Sequence, residues 1–244
     1  MKILSFLSTN YASNTYAVIS DNESAIIDPG ISVSEFVSRF QFDISTVKYI
    51  ILTHAHFDHM LFIDDWKTKT NATILVSKSD SKMLSNSSLN CYKQFCNQDS
   101  GYFGEYTTIS EGDKVILSNE SLCVIETPGH TEGTMSFFVD LCENGRTVTA
   151  AMHGGAGLNT LSKEYLEKTG QPLEMRDIFK QSLKNLSLEK VDLVLGNHPQ
   201  QNDTSGKGER AEKGEDILDT SEWQKFLDFH EYALNELIKK EQNV

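Results

Sequence analysis

Four side chains able to bind a metal lie within six residues of the chain, His54, His56, Asp58 and His59, in the stretch Thr53-His54-Ala55-His56-Phe57-Asp58-His59. In an extended turn, residues two apart point to the same side, so His54 and His56 can grip one ion. Asp58 and His59 enter a first helical turn and point elsewhere, which suits a second ion roughly 3.5–4 Å from the first, as in two-metal hydrolases. Imidazole combined with carboxylate favours zinc, iron, manganese or cobalt over calcium or magnesium. Two such ions lower the pKa of a shared water towards ~7, and the hydroxide formed attacks an ester, thioester or amide carbonyl that a metal polarises. Such chemistry needs no serine or cysteine nucleophile.

The elements around the block place it. The apolar run Val47 to Leu52 reads as a buried strand and Met60 to Trp66 as a helix. The four residues therefore sit where a strand ends and a helix begins, the place where an α/β sheet presents its sites. Two later strands, Ser121 to Thr127 and Val191 to Leu195, deliver further histidines: His130 in Pro128-Gly129-His130-Thr131-Glu132-Gly133, and His198 in Asn197-His198-Pro199. A strand from Arg146 to Met152, the second arm of a hairpin turning at Glu143-Asn144-Gly145, ends in His153-Gly154-Gly155-Ala156-Gly157. Of the seven histidines, only His230 falls outside these blocks. It lies on the apolar face of an amphipathic tail helix (Trp223, Phe226, Leu227, Ala233, Leu234, Leu237, Ile238) and reads as a packed core residue.

In this order the blocks resemble the HxHxDH signature and the later histidine loops of the metallo-β-lactamase superfamily, over roughly residues 1–200. Composition and pattern support an α/β or α+β fold. The resemblance implies more: a four-layer αββα sandwich, read here as a single domain over 1–244 with the tail helix closing the outer layer. It also implies a first metal held by His54, His56 and His130, and a second held by Asp58, His59 and His198. The cofactor expected is two divalent ions, zinc first, with iron or manganese as alternatives. Many members, such as glyoxalase II-like thioesterases and lactonases, bridge the ions with an Asp. The corresponding stretch here, Ala151-Met152-His153-Gly154-Gly155-Ala156, has no carboxylate. In this respect the pattern is similar to subclass B3 metallo-β-lactamases, and it leaves coordination positions to solvent, as catalytic sites do.

Two side chains are candidates for a catalytic part. Asp58 would hold the second ion and accept a hydrogen bond from the hydroxide. His153 could replace the bridge as a ligand, donate a proton, support its neighbours or merely pack. Gly154, Gly155 and Gly157 would let backbone come close to the centre. Asp28, in the turn Asp28-Pro29-Gly30, is expected to be a supporting acceptor or a cap. The reading is a B3-like metallo-hydrolase, with a glyoxalase II-like thioesterase or lactonase as one alternative and a metal-binding protein without hydrolysis as another.

Composition narrows the partners. Lys and Arg number 22 and Asp and Glu 35, a formal charge of −13. That argues against nucleic acid, whose binding relies on neutralising phosphates; the partner that the resemblance implies is a small-molecule substrate. Four cysteines without a CxxC pair read as reduced thiols, with Cys91 and Cys96 close enough in sequence to pair under oxidation. The short apolar start Met1 to Leu7 is no signal peptide, and no stretch approaches the ~20 apolar residues of a membrane span. A cytoplasmic protein is expected.

The remaining elements are coarser. Residues 1–30 read as a β meander, followed by a helix capped by Ser32 or Ser34 and running to Phe40. Thr73 to Val76 and Val115 to Leu117 read as strands, Ser79 to Met83 as a helix start, and Pro172 as the opening of a helix to about Leu186. Residues 85–106, polar but carrying Tyr92, Phe95, Tyr102, Phe103 and Tyr106, could wall the site or simply pack on the core. Residues 199–218 lack an apolar period and read as a mobile loop after His198.

Overall fold

A computed structural model describes every residue except 10, 87, 91–100, 144 and 244. The chain begins with the expected meander, β1 Lys2–Phe6, β2 Thr15–Ser20 and β3 Glu23–Ile27, and adds β4 Val47–Ile51, β5 Thr73–Ser77 and β6 Thr107–Ile109 in parallel to complete a six-stranded sheet in sequence order. The second sheet holds β7 Lys114–Leu117, β8 Glu120–Glu126, β9 Met135–Glu143, β10 Arg146–Met152 and β11 Leu193–Leu195, in the order β11-β10-β9-β8-β7. Only the β10–β11 pair is parallel in this sheet.

Side chains alternate faces along a strand, and that alternation builds three layers of core. Tyr16, Val18, Ile27, Ile51 and Leu75 face Leu122, Val124, Phe137 and Val139 between the sheets. Their neighbours Ala17, Ile26, Ile50 and Ile74 point outward, onto α1 Val33–Phe40 and α2 Ile63–Thr70, where Phe36 and Trp66 meet edge to face with ring centroids 5.5 Å apart. On the far side of the second sheet Phe138, Ala151 and Val194 pack under α3 Lys163–Thr169, α4 Met175–Leu186 and α6 Glu222–Gln242. The result is the αββα order of layers. Ser32 is the cap of α1, in a full capping box with Glu35.

Three details differ from the sequence reading. After the ligand block, a 3-10 turn, Phe57–His59, precedes α2, which starts at Ile63 rather than Met60. The helix expected from Pro172 starts at Met175, and α3 before it carried too short a period to be recognised. Most importantly, residues 199–218 are not a loop: Gln201–Asp203 form a 3-10 turn and Thr204–Glu212 a helix, α5. Its sequence lacks an apolar stripe because polar contacts hold it. The buried Lys207 ammonium reaches the Val194 carbonyl at 2.6 Å and both oxygens of Glu222 at 2.9 and 2.8 Å, while Thr204 Oγ1 accepts the Gly196 N–H at 3.1 Å.

Of the aromatic stretch 85–106, Tyr102 is buried and Phe103 and Tyr106 are exposed, whereas Cys91, Tyr92, Phe95 and Cys96 lie outside the described residues. No helix among the described residues is long and apolar enough to cross a membrane.

Candidate metal centre

Six side chains from three chain regions meet at one edge of the sandwich. β4 ends at Ile51 and the chain bends at Thr53–His54 rather than staying extended, yet His54 and His56 come together with ring centroids 4.8 Å apart; the 3-10 turn that follows carries Asp58 and His59. His130 comes from the loop between β8 and β9, and His198 from the segment after β11. The coordinating atoms fall into two groups, His54/His56/His130 and Asp58/His59/His198, with the atoms of each group all within 4.8 Å of one another. All six line one solvent-open cleft of about 360 Å³.

The hydrogen bonds decide which ring nitrogens are free. His54 Nδ1 donates to the Gly154 carbonyl at 2.7 Å, and its buried Nε2 has no hydrogen-bond partner. His130 Nδ1 donates to the Gly157 carbonyl at 2.8 Å, leaving Nε2 directed at His56 Nδ1, 3.1 Å away. Burial first, and then the neighbouring imidazoles, hold His54 and His56 well below the usual histidine range; burial likewise brings His130 down to about 4. Three neutral rings thus turn unprotonated nitrogens towards one point. Burying the His54 Nε2 without a partner is costly, and a divalent cation shared by the three rings is the group that fits it.

The second group is acidic. Burial alone would depress His59, but the carboxylates of Asp28 and Asp58 outweigh it and raise its pKa. Asp58 Oδ2 lies 3.6 Å from His59 Nε2 and 3.5 Å from His198 Nε2, so positive charge is favoured where these three converge. His198 is held in turn by a hydrogen bond to the Ala12 backbone, and its own N–H donates to Gln201 Oε1 at 3.3 Å. The donor set on both sides fits divalent metal, zinc-like in its imidazole content.

Two buried carboxylates behind the ligands orient them. Asp28 sits in the left-handed region at φ 52. Its Oδ2 lies 2.7 Å from His59 Nδ1 and takes the Thr53 hydroxyl at 2.8 Å, while Oδ1 takes the Thr53 N–H at 2.8 Å. This is the supporting acceptor expected of the Asp28-Pro29-Gly30 turn. Asp80, which the sequence reading passed over, accepts from the N–H of Ala55 at 3.1 Å, the hydroxyl of Thr131 at 2.8 Å and the N–H of Gly133 at 2.8 Å. It ties the His54/His56 segment to the His130 loop. Its position just beyond the C-terminal end of β5 was the available signal, since parallel strands present functional groups there.

His153 stands apart from both ligand groups. Its ring lies against Phe226 and Phe179, with centroids 5.5 and 6.3 Å away, and its Nδ1 accepts the Gly155 N–H at 3.1 Å. Burial, then His230 and His130, bring its pKa down to about 3, so it is neutral. Its nearest influence on the centre is the turn 153–157, whose carbonyls at Gly154 and Gly157 take His54 and His130. His230 packs as expected, donating to the Phe226 carbonyl at 2.8 Å from the apolar face of α6.

Comparison with known proteins agrees with this geometry. The sequence model of the metallo-beta-lactamase superfamily matches residues 8–142, which include all six proposed ligands but His198. The probable metallo-hydrolase YqgX of Bacillus subtilis is 29% identical over 159 residues, covering 61% of this chain and 70% of that protein. The hydroxyacylglutathione hydrolase of Blochmanniella pennsylvanica is 31% identical over 134 residues, and there the match spans only 44% of the relative's length. In structure the chain is similar to the FEZ-1 metallo-beta-lactamase of Legionella gormanii (TM-score 0.80, 22% identity, 95% of this chain and 91% of that one). It is also similar to BJP-1, a subclass B3 metallo-beta-lactamase of Bradyrhizobium japonicum (TM-score 0.80, 19% identity, 95% and 89%). At these identities the structural likeness speaks for the fold.

Proposed function

Because this chain belongs to the metallo-beta-lactamase superfamily, we propose that it is a metal-dependent hydrolase. Its centre is dinuclear and takes zinc, one ion at His54, His56 and His130 and the other at Asp58, His59 and His198. It acts on the carbonyl of a small-molecule ester, thioester or amide, and residues 1–244 work as a single domain. The observation that carries this reading is the pair of three-residue groups opening on one cleft, with the orphaned Nε2 of His54 at its floor. Bound there, the ions would supply a Lewis acid for the carbonyl oxygen and the means to ionise water near neutral pH.

The chain's own groups do the rest. Asp58, partly exposed at the cleft, would help hold the ion on the His59 and His198 side and accept a hydrogen bond from the attacking water. Gly154 and Gly157 fix the tautomers of His54 and His130 through their carbonyls. His153 acts on the centre only through its turn, as a supporting residue, and takes no proton in the reaction.

A glyoxalase II-like thioesterase or lactonase, rather than a B3-like hydrolase, is the second reading, favoured by the hydroxyacylglutathione hydrolases among the relatives. Against it stands the lack of a carboxylate in the 151–156 stretch, where such enzymes bridge their ions. Metal analysis of protein purified without added metal, followed by a panel of ester, thioester, lactone and β-lactam substrates, tests the proposal. Full metal occupancy with no turnover on any of them would replace the hydrolase with a metal-binding protein.

A further inference from the structure

The cleft over the two ligand groups continues into a second, much narrower one of about 40 Å³, room for about three waters or a few methylenes. The two share His56, His130, Thr160 and Tyr165. The narrow branch is walled by Met83 and Leu89 on one side and by Leu166 and Met175 on the other. These pairs belong to different apolar clusters, the first under α2 and the second under α3 and α4. The branch is therefore a gap between two cores, with the His56 and His130 rings at its inner end.

Charge is arranged unevenly around it. Among the described residues that line the two branches, the only charged side chains besides the proposed ligands are Lys82 and Glu132, and these pair with each other at the rim. The opposite wall, towards His198, is polar and uncharged, with Asn159, Asn197 and Gln201. A carboxylate carried by a substrate into the narrow branch would be desolvated with no free cation among the described residues to meet it, which is costly. A hydrocarbon chain would lose nothing and gain apolar burial.

We propose that the substrate carries a short, uncharged, unbranched apolar arm on the acyl side of its reacting carbonyl, and that the gap between Met83/Leu89 and Leu166/Met175 receives its first few carbons. This rests on the hydrolase reading and narrows it, away from substrates whose acyl part ends in a carboxylate. Each methylene buried there adds about a four-fold preference.

The test uses the zinc-loaded enzyme with p-nitrophenyl esters of straight-chain acids from acetate to octanoate, beside half-esters of equal length ending in a carboxylate. The expected result is a kcat/KM that rises at least ten-fold from acetate to butyrate, levels off with longer chains, and falls at least ten-fold when the chain ends in a carboxylate. Leu89→Trp, at a half-buried wall position, should abolish the gain from chain length and leave acetate unchanged. Glu132→Gln, which frees Lys82, should recover several-fold of the loss on the carboxylate-ended esters. A flat length profile, or faster turnover of the carboxylate-ended series, overturns the proposal.

Binding of hexanamide to the metal-free protein, followed by saturation-transfer NMR, separates the two readings. Hexanamide bound by the wild type and lost in Leu89→Trp supports the apolar branch even where no ester is turned over, an outcome that would count against hydrolysis alone. Absence of hexanamide binding sinks the branch as an arm site whatever the enzyme hydrolyses.

Discussion

The buried carboxylate of Asp80 accepts the backbone N–H of Ala55, 3.1 Å away, and Ala55 is the residue between His54 and His56. The same Asp80 Oδ2 takes the Thr131 hydroxyl, next in sequence to His130. One carboxylate thus spaces the two segments that supply all three imidazoles of the first group. Asp80→Asn keeps the shape but turns an N–H₂ towards at least one donor. We expect zinc affinity at the first site to fall by roughly 10–100-fold and stability by about 1–3 kcal/mol. Chelator-competition titration and urea unfolding measure the two; unchanged zinc affinity would remove Asp80 from the site.

Asp28 plays the matching part for the second group, through His59 Nδ1. Asparagine tolerates the left-handed backbone at this position, so Asp28→Asn isolates the loss of charge. It should weaken the second zinc by roughly 10–100-fold while the first equivalent stays bound. Equal weakening of both equivalents would contradict the division into two groups.

Gly155 packs against His130: a Cβ there would lie 2.5 Å from His130 Cδ2. Gly155→Ala must displace the ring or the turn. The expected outcome is loss of the first zinc equivalent with the far-UV circular dichroism unchanged, and wild-type zinc content in this variant would show that the turn does not set the ring.

His153 offers a pH test on the metal-free protein. Burial holds its folded pKa at about 3, below the ordinary 6.5. Between those values the unfolded chain binds the extra proton, so the stability tied to a neutral His153 is complete above pH 6.5 and is lost as pH falls towards 3. The slope is up to about 1.4 kcal/mol per pH unit for one such group. His153→Asn keeps an acceptor for the Gly155 N–H and removes the titration, and should flatten unfolding free energy against pH by that amount between pH 4 and 6. An unchanged slope would mean that the ring is not held neutral by its surroundings.

Much of this centre was legible because ligand chemistry is local. HxHxDH packs four ligands into one turn, and strand ends mark where His130 and His198 must emerge. The strands could be read from their apolar, strand-forming runs between turn residues, and the tail helix from its three- and four-residue spacing. What escaped is held by distant partners. Helix α5 has no apolar stripe, since Lys207 and Thr204 anchor it through Glu222, Val194 and Gly196. Asp80 belongs to no motif, and its meaning appears only when Ala55, Thr131 and Gly133 converge on it. For His153 the sequence left a bridging ligand, a proton donor, a supporting role and plain packing open, because its direction depends on the aromatic pair Phe179 and Phe226, which sequence spacing does not reveal.

The central claim is that two ions sit side by side in two separable groups of three ligands. Zinc stoichiometry by mass spectrometry of the wild type, His130→Ala and His198→Ala tests it most directly. Two equivalents in the wild type, one in each variant, and no turnover in either is the predicted result. A single equivalent in the wild type, or two retained in both variants, would contradict it.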